Sequence, residues 1–201
     1  MVGNIAVSVV IMLYNYQLMR FLGETGVAAF GVIGYVAFIF SAIFYGYAVG
    51  SAPVVSYHFG AGNHAELKNL FRKSLILIGI GGVVMVMLSR AAASPLSSLF
   101  VGYDRELFEL TVHAFKIYSI AFLFSGFSAF GSAFFTALNN GVVSAIISFL
   151  RTFIFETSSI ILLPVIFGVD GIWASIVVAE SVALIVTVGF FIAKRKQYHY
   201  A

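Results

Sequence analysis

Four ionisable side chains lie far inside long apolar runs of the sequence: Lys116, Arg151, Glu156 and Glu180. Glu156 lies 12 residues before the turn at residues 168–169, and Glu180 lies 11 residues after it. At about 1.5 Å per residue, both carboxylates are roughly 17–18 Å from that turn. Two carboxylates at one depth on neighbouring helices share a proton or hold a cation, because like charges held close do not both ionise cheaply. The spacing therefore nominates Glu156 and Glu180 as cation-binding groups.

Structural pairing is the alternative for these carboxylates. Lys116 lies roughly 13 Å inside its helix and is the better-placed counter-ion. It is on one helical stripe with Glu109 and His113. Arg151 precedes Glu156 by five residues, which turns about 140° around an α-helix axis. We therefore expect Arg151 to pair poorly with Glu156, or to extend toward the membrane surface.

Neutral polar side chains in the first two apolar runs form a second group of candidates. Amide and hydroxyl groups beside aromatic rings suit a pocket for amphipathic or cationic organic molecules, through apolar contact and cation–π attraction. Hydrogen bonding between helices is the alternative for each of them. The candidates for lining such a cavity are Asn4, Asn15, Gln17, Tyr35 and Ser41.

Composition places the chain among membrane proteins. Of its 201 residues, 61% are hydrophobic and 9% are charged, whereas soluble domains carry about 25% charged residues. The chain has no cysteine, its four histidines lack metal-ligand spacing, and no glycine-rich phosphate loop precedes a lysine. We therefore expect neither enzyme activity nor a metal site. The basic residues lie at helix ends rather than in a patch, so we expect no nucleic-acid partner.

Apolar runs of about 20 residues are long enough to cross a bilayer as helices. The sequence predicts an all-α membrane protein, a single unit over residues 1–201 with six transmembrane helices. The second and fourth are longer than one crossing needs, which predicts tilt or a kink. The helices are predicted at residues 2–21, 27–58, 75–98, 108–138, 142–167 and 170–193.

Basic residues near the helix ends predict the orientation. Six lie on the side of the second loop and the C-terminal tail, and three lie on the opposite side. Because cytoplasmic loops carry the excess of Lys and Arg, both termini are predicted to be cytoplasmic. The six are Lys68, Arg72, Lys73, Lys194, Arg195 and Lys196, and the three are Arg20, Arg90 and Arg105.

The stretch at residues 46–63, GYAVGSAPVVSYHFGAGN, punctuates the second helix with Gly46, Gly50 and Pro53 and ends in a turn with Gly60 and Gly62. Inside a membrane, an interrupted helix survives only where protein or a wet cavity satisfies its backbone. These residues predict a helix break beside a transport path. A simple kink against neighbouring helices is the alternative.

Two motifs together resemble the multidrug and toxic compound extrusion (MATE) family. The first is GSAPVVS at 50–56 followed by GAGN at 60–63, and the second runs from Arg151 through LP at 163–164 to FGVDGIW at 167–173. The resemblance implies twelve helices in two six-helix lobes, which exchange drugs or organic cations for H⁺ or Na⁺. This chain resembles the C-terminal lobe. Glu180 is near a position where relatives often carry an acid, whereas Glu156 is where they often have a proline.

The resemblance makes the chain half of a multidrug or organic-cation antiporter in the plasma or inner membrane. Its expected partners are the lipid bilayer, an N-terminal six-helix lobe or a second copy, and small organic cations or drugs. The ion-coupling candidates are Glu180, Glu156 and Lys116. The alternatives are a lipid-linked oligosaccharide flippase of the same superfamily, which needs a larger cationic cavity, and an inactive truncated membrane protein.

Overall fold

The computed structural model describes the backbone of residues 2–201 and the side chains of residues 6–201. Over this range the chain is helical, with five stretches long and apolar enough to cross a membrane. The predicted class, an all-α membrane protein, is confirmed. The stretches are Val2–Gly60, His64–Val101, Arg105–Ala137, Gly141–Phe167 and Val169–Tyr198.

The first stretch is folded in two at Gly23, whose φ of 63° and ψ of −149° are not helical. Tyr14 and Phe30 stack with their ring centroids 4.9 Å apart. In a continuous helix these residues, 16 apart, would be separated by about 24 Å. The chain therefore reverses at Gly23, and we name residues 2–22 α1 and residues 24–60 α2. Gly23 lies in the predicted gap between the first two spans, so the difference between six predicted and five observed stretches is this one turn.

The remaining helices are α3 (His64–Val101), α4 (Arg105–Ala137), α5 (Gly141–Phe167) and α6 (Val169–Tyr198). Three of them begin at a side chain that accepts from the first-turn amides: Asn63 from Glu66 N, Asp104 from Glu106 N and Leu107 N, and Asn140 from Val143 N. Such caps satisfy amides that a helix start leaves without partners. Gly168, with φ 59° and ψ −135°, reverses the chain between α5 and α6 as Gly23 does between α1 and α2.

The alternating helices give the molecule two ends. The Asn140 end contains residues 61–63, 138–140 and 199–201, joined by a hydrogen bond from Asn140 Nδ2 to the Tyr198 hydroxyl at 2.9 Å. The Gly168 end contains the turns at Gly23, 102–104 and 168. An aromatic core with Phe71, Phe130 and Phe191 lies toward the Asn140 end. A second core, which includes Leu18, Ile33 and Trp173, lies toward the Gly168 end.

The predicted helix break in residues 46–63 needs correction. Within the described part of Val2–Gly60 the non-helical residue is Gly23, so α2 continues through Gly46, Gly50 and Pro53. A glycine keeps its amide donor and Pro53 removes only one, which a long helix accommodates. The helix ends at Gly60, and Gly62 adopts φ 67° in the following turn. The motif therefore marks the end of α2 rather than a break within it.

Close helix contact occurs along α4, where glycines let neighbouring helices approach. A Cβ atom built on Gly126 would lie 2.7 Å from Phe44 Cδ1 of α2, and one on Gly131 would collide with the Thr187 methyl of α6. By contrast, a Cβ on Gly50 would meet nothing within 4 Å. α4 is thus the helix around which its neighbours pack.

Candidate functional site

A guanidinium and a carboxylate meet inside the helix bundle. Arg151 on α5 donates from Nε to both carboxylate oxygens of Glu180 on α6, at 2.9 and 3.0 Å, and from Nη2 to Oε1 at 2.6 Å. Glu180 is only 3% exposed. The desolvation of two charges is offset only where geometry is good and several hydrogen bonds form, as they do in this pair.

Tyr45 on α2 completes the coordination of the guanidinium. Arg151 Nη1 donates to the Tyr45 hydroxyl at 2.6 Å, and the guanidinium carbon is 5.7 Å from the centroid of the same ring. The ring supplies a cation–π contact in addition to the hydrogen bond. Three helices therefore hold Arg151 in place.

A π-helical turn, Leu150–Phe155, brings Arg151 and Glu156 onto one face of α5. The Glu156 amide donates to the carbonyl of Arg151, five residues back. Such i→i+5 turns are rare and occur frequently at functional sites. The 140° separation assumed a regular α-helix and does not apply across this turn, where both side chains line the same cavity of about 250 Å³. Arg151 nevertheless bonds to Glu180 and not to Glu156.

Glu156 has no cation of its own. Its carboxylate makes no hydrogen bond or ion pair with any described residue, yet it lines the cavity together with Arg151 and Glu180. Two carboxylates and one guanidinium leave one negative charge uncompensated when all three are ionised. A buried unpaired charge is costly, so this cavity favours one additional monovalent cation.

Lys116 does not serve as the counter-ion that the sequence predicts. Its side chain is exposed on α4 and is absent from the residues that line the cavity. Its stripe neighbours are engaged elsewhere: Glu109 accepts from Arg105 at 3.0 Å, and His113 contacts Asp170 of α6 at 2.8 Å. Arg151 takes the predicted role of Lys116.

A larger cavity of about 770 Å³ continues from the first between α1 and α2. Ser41, Tyr118, Thr152 and Glu156 line both. Three of the predicted cavity residues lie on its wall: Asn15, Tyr35 and Ser41. Aromatic rings supply much of the remaining surface, namely Tyr14, Phe30, Phe38 and Tyr118.

Gln17 has a different role from the predicted one. It is 7% exposed, and its Nε2 donates to the carbonyl of Ile160 on α5 at 3.1 Å. In a regular helix this carbonyl would accept from residue 164, which is a proline and has no amide hydrogen. Gln17 therefore supplies the donor that Pro164 lacks, and it joins α1 to α5. Asn4, the other predicted amide, has a side chain outside the described residues.

The sequence-based candidates omit Tyr45, Tyr118 and Thr152, which line the polar cavity. Tyr45 was within reach of sequence reasoning, because it lies four residues after Ser41 and hence on the same face of α2. Thr152 depends on the π-helical turn and gives no such signal.

A family model decides the affiliation of the chain, since the MatE model matches residues 1–162. The chain belongs to the MatE family. MATE proteins are transporters rather than enzymes, and the chain accordingly represents half of such a membrane transporter. No curated protein matches it.

Solved transporters share the fold of this MatE chain. The outward-facing conformation of a multidrug resistance MATE family transporter of the MOP superfamily matches with a TM-score of 0.90 and 18% identity, over 100% of this chain and 45% of that one. Its inward-facing counterpart matches with a TM-score of 0.85 and 18% identity, over 98% and 45%. A MOP superfamily transporter from Pyrococcus furiosus, described as having a binding pocket of reverse polarity that suggests a different function, matches with a TM-score of 0.85 and 18% identity, over 98% and 44%. The chain thus spans under half the length of these transporters, which is one lobe.

Proposed function

We propose that the chain is the C-terminal lobe of a multidrug or organic-cation efflux antiporter that is coupled to H⁺ or Na⁺. The observation that carries this proposal is the uncompensated carboxylate of Glu156, which lies where the polar cavity meets the larger aromatic one. One group is thereby accessible both to a small cation and to a larger ligand.

The larger cavity suits an organic cation. Its volume of about 770 Å³ is in the range of drug-sized sites. The exposed rings of Tyr35 and Phe38 on its wall are available to a cation and to its apolar parts, while Asn15 and Ser41 offer hydrogen bonds. A flippase for anionic lipid-linked sugars would need free positive charge in the cavity. Arg151, the cation on the wall of the polar cavity, is already paired with Glu180.

Exchange follows from competition for one charge. With Arg151 committed to Glu180, the cavity balances a single further positive charge, which either the coupling ion or the substrate supplies. Binding of one then weakens binding of the other, and such reciprocal coupling is what an antiporter requires. Glu156 is the residue at which we place this competition, and Arg151 and Glu180 are the pair that fixes its environment.

A second lobe completes the transporter in this proposal. It is an N-terminal six-helix lobe or a second copy of the chain, and alternating access is rocking of one lobe against the other around the cavity. The surface offered to it includes the exposed face of α2, on which Tyr35, Phe38 and Val49 are 71%, 75% and 67% exposed. We place the protein in the plasma or inner membrane with the Asn140 end and both termini in the cytoplasm. Six of the basic residues near the helix ends lie at the Asn140 end, and cytoplasmic loops carry the excess of Lys and Arg.

Efflux of a fluorescent organic cation tests the proposal. The full protein in proteoliposomes is given either an H⁺ or a Na⁺ gradient, and a neutral compound of similar shape serves as the matched ligand. We expect one gradient to drive transport of the cation, little transport of the neutral compound, and no transport by this chain without its second lobe. Equal transport of both compounds, or transport that neither gradient drives, would contradict the proposal.

A further inference from the structure

A file of hydroxyl groups connects α4 and α5 on the Asn140 side of Arg151. Ser132 Oγ lies 2.8 Å from the hydroxyl oxygens of both Ser144 and Ser148, and Thr136 Oγ1 donates to Ser144 Oγ at 2.8 Å. Four side chains on two helices thus form one hydrogen-bonded chain: Thr136, Ser144, Ser132 and Ser148.

This chain of hydroxyl groups extends from the Asn140 end toward the middle of the lobe. Ser144 and Ser148 lie four and eight residues beyond Asn140, or roughly 6 and 12 Å along α5. Arg151 is one turn further. Thr136 and Ser148 are exposed, whereas Ser144 is 8% exposed. Thr136, near the Asn140 end, and Ser148, near Arg151, are therefore both accessible from this face of the lobe.

A small cavity of about 220 Å³ joins the upper end of the file to Arg151. Its wall contains Ser132 and Ser148 from the file, Arg151 and Tyr45 from the charged cluster, and Ser128. Ser128 is 1% exposed, and its hydroxyl has no hydrogen-bond partner among the described residues. A buried unsatisfied hydroxyl beside a cavity with room for several waters, whose wall includes Ser132, Ser148 and Arg151, indicates a hydrated space.

The charged cluster separates this cavity from the one that holds Glu156. Arg151, Tyr45 and Thr152 line both cavities, while Glu156 and Glu180 line only the further one. Ser125, another hydroxyl without a partner in the described structure, lies on the far side. The Arg151–Glu180 pair thus lies at the shared wall of the two cavities, together with the hydroxyl-bearing side chains of Tyr45 and Thr152.

We propose that this groove between α2, α4 and α5 is an aqueous track that carries protons from the Asn140 end to Glu180 and Glu156. The role of the track in proton delivery rests on the proposed function, whereas the presence of water in the groove does not depend on that function. Hydroxyl groups joined only to one another would also satisfy interhelical packing. The unpartnered Ser128 hydroxyl, which lines the adjoining cavity, favours the hydrated alternative.

The chemistry of the file suits a proton better than a metal cation. Each hydroxyl both donates and accepts, so it takes a proton on a lone pair and releases its own to the next oxygen. Every O–H bond that breaks is replaced by one that forms, so one positive charge reaches Ser148, and water in the adjoining cavity would pass it on toward the carboxylates. A metal cation would have to break the 2.8 Å contacts that a proton uses.

Cysteine accessibility in the full, membrane-embedded protein tests for water. This chain contributes no cysteine of its own, so labelling of the unsubstituted protein gives the background from the second lobe. The variants Ser132→Cys and Ser148→Cys are treated with a charged, water-soluble methanethiosulfonate and, separately, with a lipid-soluble maleimide. Ser175→Cys is the matched control, because Ser175 is 0% exposed and donates to the carbonyls of Ser159 and Gly171. We expect the two file positions to react with the charged reagent about tenfold faster or more than position 175. Rates equal to the control, or reaction with the maleimide alone, would overturn the track.

A second pair of variants tests for protons. Ser132→Ala removes the hydroxyl that joins Ser144 and Ser148, whereas Ser132→Thr retains a hydroxyl. We expect the alanine variant to slow proton-driven efflux severalfold and the threonine variant to restore it. Undiminished proton-driven efflux by the alanine variant overturns the proton route, even if cysteine labelling shows that the groove contains water. Absence of any proton-driven efflux in the wild type refutes the proposed coupling, whereas the labelling result still decides whether the groove holds water.

Discussion

Replacement of Glu180 by glutamine should destabilise the lobe strongly. Glu180 is 3% exposed and receives three hydrogen bonds from Arg151, so the variant leaves a guanidinium buried without its countercharge. Breaking a buried pair in this way costs about 3–5 kcal/mol. Glu156 lies in the same cavity and offsets part of the loss, so we expect about 3 kcal/mol. At about 2–4 °C per kcal/mol for a chain of this size, the unfolding midpoint should fall by roughly 6–12 °C.

The fluorescence of Trp173, the single tryptophan of this chain, reports the transition on heating in detergent, since its side chain is 1% exposed. Glu109→Gln is the control, because it breaks the exposed ion pair with Arg105 and should leave the midpoint unchanged. The double variant Arg151→Gln, Glu180→Gln should recover part of the loss, because it no longer buries a guanidinium without its countercharge. Equal midpoints for Glu180→Gln and Glu109→Gln would refute the reasoning.

Two further predictions concern packing and the backbone. Gly131→Ala should lower the free energy of unfolding by about 1–3 kcal/mol, because the new methyl collides with α6. Gly50→Ala is the control and should be nearly neutral. Thermal unfolding of both variants checks this, and equal midpoints would contradict it. Gln17→Leu should cost about 1–3 kcal/mol, because it leaves the Ile160 carbonyl buried without a donor. The additional change Pro164→Ala restores an amide to that carbonyl, so the double variant should regain stability in the same assay, and additive losses would argue against the assigned role of Gln17.

The sequence predicts the apolar part of each helix, because the length of an apolar run is a local property. The third helix is predicted to begin at residue 75 but begins at His64, since its first turns are polar and no apolar run includes them. Asn63, Asp104 and Asn140 all begin helices in the structure as their residue type favours. The turn at Gly23 lies in the predicted gap between the first two spans, whereas the additional break predicted at Gly46, Gly50 and Pro53 is absent, because α2 continues through all three. Residue type does not distinguish these glycines, since only the position of the membrane boundary and the packing of α1 on α2 decide which one leaves the helix.

The sequence predicts which ionisable residues lie deep in the membrane, but not which of them pair with each other. The depth of Glu156 and Glu180 follows from counting residues, and both do line one cavity. The partner of Glu180 cannot be predicted by counting residues. Such counting assumes an α-helix, whereas the π-helical turn at Leu150–Phe155 changes the direction of the Arg151 side chain. Gln17 is a similar case: its polar side chain inside the membrane indicates a function, but the missing amide of Pro164 lies 147 residues away in sequence.

The most direct test of the central claim, that Glu156 carries the coupling charge, compares two modes of transport in Glu156→Gln. The full protein in proteoliposomes is assayed for ion-gradient-driven accumulation of an organic cation and for exchange of labelled against unlabelled cation without a gradient. Glu24→Gln, at an exposed carboxylate outside both cavities, is the control. We expect Glu156→Gln to lose accumulation and to weaken exchange, because the coupling ion and the organic cation compete for this one carboxylate, while Glu24→Gln keeps both. Undiminished gradient-driven accumulation by Glu156→Gln would contradict the claim.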